Sequence, residues 1–287
     1  MMTIRLSQGF CALMFLAVLL PATSAQAGPS AERGEYLVRG PAGCGNCHTP
    51  LGPEGPVPGM EFAGRLVEDN PAFTAYAPNL TPAGPIGAWS DAELSRAIRE
   101  GLRPDGSLIG PPMPFAMYRG LGDEDLQSIV MFLRTLEPVE NMVPASSYRI
   151  PLPPAYGPAV ESVTAPDAGV TAEYGAYLAG PVMHCMECHT PMGPQGPMLD
   201  TDLGRGGFAF VGPWGTSVAS NLTPHETDGI GRYDDAELKA MITEGTRPDG
   251  SKMLPPMPYA YLAAMTPEDL DAVVLYLRSL PPLPSAK

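Results

Sequence analysis

The chain repeats one series of short motifs in its two halves, at an offset that drifts only from 141 to 144 residues. Solenoid repeats recur about every 20 to 50 residues, whereas this offset has the length of a whole domain. The recurring motifs are Ala-Glu-x-Gly-x-Tyr-Leu (31–37 and 172–178), Cys-x-x-Cys-His-Thr-Pro (44–50 and 185–191), Asn-Leu-Thr-Pro (79–82 and 221–224), Arg-Pro-Asp-Gly-Ser (103–107 and 247–251) and Pro-Pro-Met-Pro (111–114 and 255–258). We therefore expect two tandem domains from an internal duplication, residues 28–137 and 170–287, joined by a proline-rich linker over 138–169.

Capping residues place the predicted helices. Ser90 and Asp234 are each followed three residues later by a glutamate, which is the pattern of a capping box. Gly101 and Gly245 are suited to end these two helices. Thr266-Pro267 predicts the start of the last helix. No segment shows convincing alternation of apolar and polar residues, the pattern of a half-buried strand, so the expected fold class is all-α in both domains.

The first 27 residues have the pattern of a secretory signal peptide. Arg5 precedes an apolar run from Phe10 to Leu20, and Ala25-Gln26-Ala27 fits a small-residue cleavage site. The run is too short for a typical membrane span. We expect export to the periplasm with cleavage of the signal; a signal that stayed on would act as an anchor. Without residues 1–27 the chain has 16 Lys and Arg against 31 Asp and Glu, a net charge of −15. Such a surface repels nucleic acid and favours a partner with a basic docking face.

Four of the five cysteines belong to the two Cys-x-x-Cys-His motifs, and the fifth, Cys11, lies in the predicted signal. This spacing is the attachment signature of c-type haem, because thiols one helical turn apart reach two vinyl groups of one porphyrin and the following histidine is placed under the iron. A zinc site would need the pairs about 12 to 20 residues apart, a thioredoxin-like dithiol would need a βαβ unit, and two disulfides would leave the histidines unexplained. We predict two covalently bound haem c groups, with the attachment residues Cys44, Cys47 and His48, and Cys185, Cys188 and His189.

Only two of the sixteen methionines, Met113 and Met257, occupy matching positions in the halves. Each lies in a Pro-Pro-Met-Pro segment, where proline restricts the backbone and lowers the entropy cost of holding the side chain in place. A methionine opposite a histidine raises the potential of a haem iron and suits electron transfer. We predict that Met113 and Met257 are the distal iron ligands, with His48 and His189 as proximal ligands; packing of the loop is the alternative role.

Other polar residues are weaker candidates. Arg103 and Arg247 are expected either to pair with haem propionates or to lie in surface turns. Trp89 and Tyr233 are expected either to line a haem edge or to pack in the core. The two remaining histidines, at positions 184 and 225, have no histidine counterpart in the other half, and we expect packing or solvent-exposed roles for them.

With these motifs the chain resembles the bacterial cytochrome c family with one or two haems. It is similar to the cytochrome c subunits of membrane-bound alcohol and gluconate dehydrogenases, in the haem motifs, the Asn-Leu-Thr-Pro and Arg-Pro-Asp-Gly loops and the Pro-Pro-Met-Pro segments. Those subunits typically carry three haems, whereas this chain has motifs for two. The resemblance implies an all-helical cytochrome c fold in each half. It also implies electron transfer from a periplasmic dehydrogenase towards a terminal oxidase or another cytochrome.

These features favour an electron-transfer protein without substrate chemistry of its own. The rival is a dihaem enzyme of the peroxidase or thiosulfate dehydrogenase type. A peroxidase needs an iron with an open coordination position, and the thiosulfate-oxidising family uses a cysteine as a distal ligand. The matched methionines favour the carrier, and so does the lack of any cysteine in residues 28–287 beyond the four in the two motifs. Both a free carrier and a tightly bound subunit of a dehydrogenase complex, associated with the membrane through its partner, fit the sequence.

Overall fold

The computed structural model describes residues 28–194 and 196–286; the predicted signal peptide lies outside these residues. Within them the two halves contain similar helices in the same order. Residues 85–88 and 230–232 form 3₁₀ turns, and 178–182 form a π-helical turn. The α-helices are α1 (Ala31–Arg39), α2 (Cys44–His48), α3 (Asp91–Glu100), α4 (Phe115–Tyr118), α5 (Asp123–Thr135), α6 (Ala172–Tyr177), α7 (Cys185–Cys188), α8 (Asp235–Glu244), α9 (Tyr259–Leu262) and α10 (Pro267–Ser279).

The predicted helix caps are confirmed. Ser90 and Asp234 each form a reciprocal capping box with the glutamate three residues later. Gly101 and Gly245 follow these helices in the left-handed conformation, with φ of 68° and 59°, where glycine is favoured because it has no Cβ. Thr266 caps α10 by accepting a hydrogen bond from the Asp269 amide. Local capping chemistry therefore fixes these helix boundaries in both halves.

Close helix packing brings the first and last helices of each half together. Helix α1 packs against α5, and α6 packs against α10. A Cβ on Gly34 would lie 1.8 Å from the carbonyl oxygen of Ser128, and one on Gly175 would lie 1.9 Å from that of Ala272. Only glycine permits this approach. Side chains from both halves join one hydrophobic core, which includes Leu37 and Phe132 from the first half and Leu178 and Val273 from the second.

The prediction of an all-α fold is wrong, because helices hold 35% of the residues and strands 12%. Glycine- and proline-rich segments turn back on themselves as short antiparallel hairpins, and strands of two to five residues are too short to show apolar alternation in a sequence. The described residues form four small sheets, ordered β1-β2, β3-β4-β5, β6-β7 and β8-β9. The strands are β1 (Leu51–Gly52), β2 (Gly55–Pro56), β3 (Arg65–Asp69), β4 (Phe73–Ala77), β5 (Ser147–Tyr148), β6 (Met192–Gly193), β7 (Gly196–Pro197), β8 (Ala209–Gly212) and β9 (Gly215–Val218).

Residues 138–169 contain no helix and lie against the first half of the chain. Strand β5 pairs with β4, so Tyr148 lies opposite Phe73. Further along, the amide of Asp123 donates to the Val163 carbonyl at 2.8 Å. The segment therefore covers the first half instead of spanning open solvent. No helix in the described ranges combines the length and apolar character that a membrane crossing needs.

Candidate functional site

Each predicted haem motif forms a short helix that follows a left-handed residue. Gly43 precedes α2 with φ 57°, and His184 precedes α7 with φ 46°. The following turn places the two cysteines of each pair one helical turn apart, and all four motif cysteines are free thiols. Burial raises the pKa of Cys44 and of Cys185 to about 12, so both are neutral thiols at pH 7. The structure therefore brings each pair to the edge of the apolar core, where Cys44 and Cys185 pack.

The histidine of each motif is buried and held by a backbone carbonyl. Nδ1 of His48 lies 2.8 Å from the oxygen of Pro78, and Nδ1 of His189 lies 2.7 Å from the oxygen of Ser220. Since a carbonyl can only accept, the proton is on Nδ1 and the lone pair of Nε2 is free to bind a metal. Burial lowers the pKa of His48 to about 4 and also lowers that of His189. Both rings are therefore neutral at pH 7, as a ligand must be.

The roles of Pro78 and Ser220 were not predicted from the sequence. Every residue has a backbone carbonyl, so residue type does not reveal which carbonyl accepts the histidine hydrogen bond. A usable signal was their position directly before the two Asn-Leu-Thr-Pro motifs. The buried Asn79 accepts from the Thr81 amide at 2.8 Å and donates to the Val139 carbonyl at 2.7 Å.

Asn221 makes the matching bonds in the second half, to the Thr223 amide at 2.8 Å and the Leu283 carbonyl at 2.7 Å. Each motif thus ties the loop that holds the histidine to the segment after the last helix of its half.

The predicted distal ligands lie in matching loops. Met113 and Met257 are half-buried and pack against the same core that Cys44 and Cys185 contact. In each loop the Pro-Pro peptide bond before the methionine is cis, and a four-residue helix, α4 or α9, follows. The structure therefore gives the two methionines the same backbone setting.

Among the weaker candidates, the two arginines lie in turns. Nη1 of Arg103 donates to the Leu108 carbonyl at 2.6 Å, and Nη1 of Arg247 donates to the Lys252 carbonyl at 3.3 Å, both within their own loops. Trp89 and Tyr233 pack at the edge of the core.

The two remaining histidines have local contacts. The His184 ring packs edge-on against Tyr118 with centroids 5.9 Å apart, and burial lowers its pKa to about 4. Nδ1 of His225 accepts from the Asp228 amide at 3.1 Å. His184 therefore packs against the other half, and His225 bonds within its own loop.

The two cysteine turns meet at the contact between the halves, which the sequence did not show. A Cβ on Gly45, inside the first motif, would lie 2.7 Å from the hydroxyl oxygen of Tyr261 in α9. The Tyr118 ring in α4 reaches His184 next to the second motif. Burial raises the pKa of Tyr118, and the nearby Cys44 and Glu187, from different motifs, raise it further. Each cysteine turn therefore packs against the helix that follows the methionine loop of the other half.

Comparison with known proteins agrees with this geometry. The sequence model of the family described as Cytochrome c matches residues 172–281. This part of the chain is a cytochrome c domain. Such a domain implies covalently bound haem c. The buried donor set fits the group, since it offers two neutral thiols one turn apart and an imidazole with a free Nε2.

Curated relatives extend the likeness over both halves. The chain is 31% identical to the alcohol dehydrogenase (quinone) cytochrome c subunit of Gluconobacter oxydans, over 96% of this chain and 60% of that protein. It is 30% identical to the gluconate 2-dehydrogenase cytochrome c subunit of Pantoea cypripedii, over 87% of this chain and 59% of that protein. A protein named dihaem cytochrome c-type from Cereibacter sphaeroides is 28% identical over 88% of this chain and 86% of its own length. The chain thus spans about three fifths of the two dehydrogenase subunits, and the predicted resemblance to such cytochrome c subunits is confirmed.

Proposed function

We propose that this chain is a periplasmic electron-transfer protein with two covalently bound haem c groups, which passes electrons from a dehydrogenase towards a terminal oxidase or another cytochrome. The observation that carries the proposal is the matched pair of buried histidines, His48 and His189, each behind two free thiols and each bonded through Nδ1 to a carbonyl. The names of the relatives, cytochrome c subunits of dehydrogenases, support the same role.

Matching residues have the same proposed roles in both halves. In the first half, Cys44 and Cys47 would hold the group by thioether bonds, His48 would be the proximal ligand and Met113 the distal ligand. In the second half the same roles fall to Cys185, Cys188, His189 and Met257. A bound haem c supplies an iron that accepts and returns one electron.

Residues around each site would set the surroundings of a bound haem. The bond from Nδ1 of His48 to Pro78 fixes the ring and increases the basicity of Nε2, and His189 is held in the same way by Ser220. The apolar core around Cys44 and Met113 keeps water away, so little solvent must reorganise when the charge changes.

The contact between the halves supports a route for the electron from one half of the molecule to the other. Both cysteine turns lie at this contact, where Tyr261 touches the first motif and Tyr118 lies between the first motif and His184. The covalently attached edges of both groups would therefore lie near each other. A chain of two such centres could take an electron from one partner at one half and deliver it to another partner at the other half.

The organisation of the chain belongs to the proposal. We assign residues 28–137 and 170–287 to two cytochrome c domains from an internal duplication, with 138–169 as the proline-rich linker. The matching helix order and the matching bonds of Asn79 and Asn221 support this assignment. Residues 1–27 would direct export and be removed.

The dihaem enzyme remains the second candidate, and the ligand pattern argues against it. A peroxidase needs an open iron position, and an enzyme of the thiosulfate dehydrogenase type uses a distal cysteine. Matched methionines occupy the same loop in both halves, and the motif cysteines are the only ones after residue 11. Both features favour irons that would each be held by a histidine and a methionine, with no position left for a substrate.

A redox titration of the purified protein followed by visible spectroscopy tests the proposal. We expect two one-electron steps, low-spin spectra, and the weak far-red band of methionine-ligated ferric haem at both centres. A high-spin centre that binds peroxide or thiosulfate would contradict the carrier and support the enzyme.

N-terminal sequencing of the periplasmic protein tests export and cleavage. The sequence should start near Gly28, and an intact Met1 on membrane-bound protein would contradict cleavage.

A further inference from the structure

The methionine loop of the first half is covered by the chain itself. The Tyr148 hydroxyl donates to the Pro111 carbonyl at 2.9 Å, and the Tyr156 hydroxyl donates to the Ile109 carbonyl at 2.9 Å. The Tyr156 ring also stacks on Phe115 with centroids 4.9 Å apart. Both tyrosines come from the segment 138–169, so this segment closes the face of the molecule that carries Met113.

The same segment also closes the edge of a sheet. Strand β5 pairs with β4, and the Tyr76 amide donates to the Ser146 hydroxyl at 2.9 Å. The Tyr148 ring lies so close to Gly110 that a Cβ there would be 2.3 Å from it. Tyr148 therefore contacts the sheet edge and the methionine loop together, which means that these two features adjoin.

In the second half, no segment among residues 28–194 and 196–286 covers the matching edge. Strand β9 corresponds to β4, because both end just before an Asn-Leu-Thr-Pro motif, yet the sheet β8-β9 has two strands within the described residues. Val211 is 83% exposed and Val218 58%. Leu254, the counterpart of Gly110, is 45% exposed. The hydroxyl of Tyr259, the counterpart of Phe115, is buried and has no hydrogen-bond partner among residues 28–194 and 196–286.

This edge also lacks the usual protection. Proteins guard open strand edges with charged residues, proline or a covering segment, because free N–H and C=O groups pair readily with other chains. Residues 206–220 contain no charged residue, in a chain with 48 charged residues, and their one proline lies in the hairpin turn. In the first half Tyr148 spans the matching edge and the methionine loop, and by this correspondence the uncharged edge of β9 adjoins the Met257 loop. Such an edge is suited to receive another strand.

We propose that the edge of β9 and the Met257 loop form the docking site for an extended segment of a redox-partner polypeptide. The segment pairs antiparallel with β9, as β5 pairs with β4, and so brings the partner next to the second electron-transfer centre. The contacts of β5 with β4 and with the Met113 loop are the template for this occupant. Because segment 138–169 closes the first half, the two centres are not equivalent, and the second is the one that exchanges electrons with this partner.

The template also predicts which side chain the occupant carries. Gly110 makes room for the Tyr148 ring in the first half, whereas its counterpart in the second half, Leu254, carries a large side chain that is 45% exposed and leaves less room for a ring. The occupant therefore has a smaller apolar residue, such as valine, at the position of Tyr148. A preference for one side chain at this position distinguishes a specific docking site from a strand edge that pairs with any extended segment.

Hydrogen exchange with a synthetic peptide tests the site in the haem-loaded protein. The probe copies residues 143–150 with Tyr148→Val, added at about 1 mM because short strand-forming segments bind weakly. We expect it to slow exchange of the Thr216 and Val218 amides by about threefold or more. The peptide that keeps tyrosine at the position of Tyr148 should protect these amides less than the valine peptide does. In the Leu254→Gly variant, the tyrosine peptide should protect them more. Val218→Lys should abolish the protection, while Met142→Lys, a 97% exposed position in the segment 138–169, should leave it intact.

Results of three kinds would overturn this docking site. One is the absence of protection by the valine peptide, or equal protection in Val218→Lys. Another is sedimentation of the wild type as a dimer that Val218→Lys dissociates, which would make a second copy the occupant. The third is binding to phospholipid vesicles that Val218→Lys removes. The docking site rests on the proposed function, but the two proposals are tested separately. A haem assay on the same sample measures haem binding independently of the hydrogen-exchange result.

Discussion

The hydroxyl of Tyr36 donates to Oδ2 of Asp269 at 2.6 Å, across 233 residues of sequence. The reverse pair exists as well, because the Tyr177 hydroxyl donates to Oδ2 of Asp125 at 2.7 Å. Each tyrosine precedes one cysteine motif, and each aspartate lies in the first turn of the last helix of the other half. Two reciprocal bonds thus hold the halves together beside the cysteine turns.

The two pairs differ in one residue. Arg33 makes a two-pronged salt bridge with Asp125, at 2.8 and 3.0 Å, and its counterpart in the second half is Tyr174. Asp269 has no such cation, and its carboxylate accepts no other side-chain hydrogen bond within the described part of the chain. Loss of the Tyr36 hydroxyl would therefore leave Asp269 without a side-chain partner, whereas loss of the Tyr177 hydroxyl would leave Asp125 paired with Arg33.

Removing the two hydroxyls should reveal this difference. Tyr36→Phe leaves the buried Asp269 carboxylate without a side-chain partner and should lower the free energy of unfolding by about 2 to 3 kcal/mol. Tyr177→Phe leaves Asp125 with Arg33 and should cost about 0.5 to 1.5 kcal/mol. Denaturant unfolding of the haem-loaded protein measures both. Tyr76→Phe is the control, since its hydroxyl makes no hydrogen bond within residues 28–194 and 196–286, and equal costs at Tyr36 and Tyr177 would contradict the argument.

The same tyrosines make the protein sensitive to high pH. Burial, followed by the hydrogen bond to Asp269, raises the pKa of Tyr36 above its usual value of about 10. Above pH 10 the unfolded chain loses this proton while the folded chain keeps it, so stability is full below pH 10 and falls as pH rises through the folded pKa. In Tyr36→Phe the slope of unfolding free energy against pH should be shallower by up to about 1.4 kcal/mol per unit above pH 10. An unchanged slope would mean that Tyr36 titrates alike in both states.

Local patterns predicted the helices and the attachment motifs, since capping boxes, proline at a helix start and Cys-x-x-Cys-His act through neighbouring residues. The strands were missed because pairs such as Leu51 with Pro56 are set by tight turns and not by alternation. The bond of Tyr36 with Asp269 was also invisible, because nothing in either segment specifies a partner more than 200 residues away. The repeat showed which residues correspond but not that the halves exchange contacts.

Haem number follows from the two motifs. The denatured mature protein should retain two haems per chain by mass and by the pyridine haemochrome assay, since thioether bonds survive unfolding. Cys44→Ser combined with Cys47→Ser should leave one, and the matching double replacement of Cys185 and Cys188 should leave the other. A wild-type mass equal to that of the bare polypeptide would refute covalent attachment.

The distal ligands are the most demanding prediction. Met113 and Met257 lie in matching loops beside the core that holds the cysteines. A thioether favours ferrous iron, so replacing it with the more basic imidazole should lower the potential of that centre. Met113→His should therefore shift the first centre downward and Met257→His the second, and each oxidised variant should lose about half of the far-red band. Potentiometric titration of the two variants measures the shifts, which should be nearly additive in the double variant because the residues lie in separate loops.

A surface methionine separates iron ligation from a general effect of the replacement. Met131 is 43% exposed on α5 and has no methionine counterpart, so Met131→His should leave both potentials and the far-red band unchanged. If Met113→His or Met257→His behaves like Met131→His, that methionine only packs its loop and another group holds the iron. An open coordination position at that centre would then admit small molecules such as peroxide, and the protein would have the site that the rival enzyme requires.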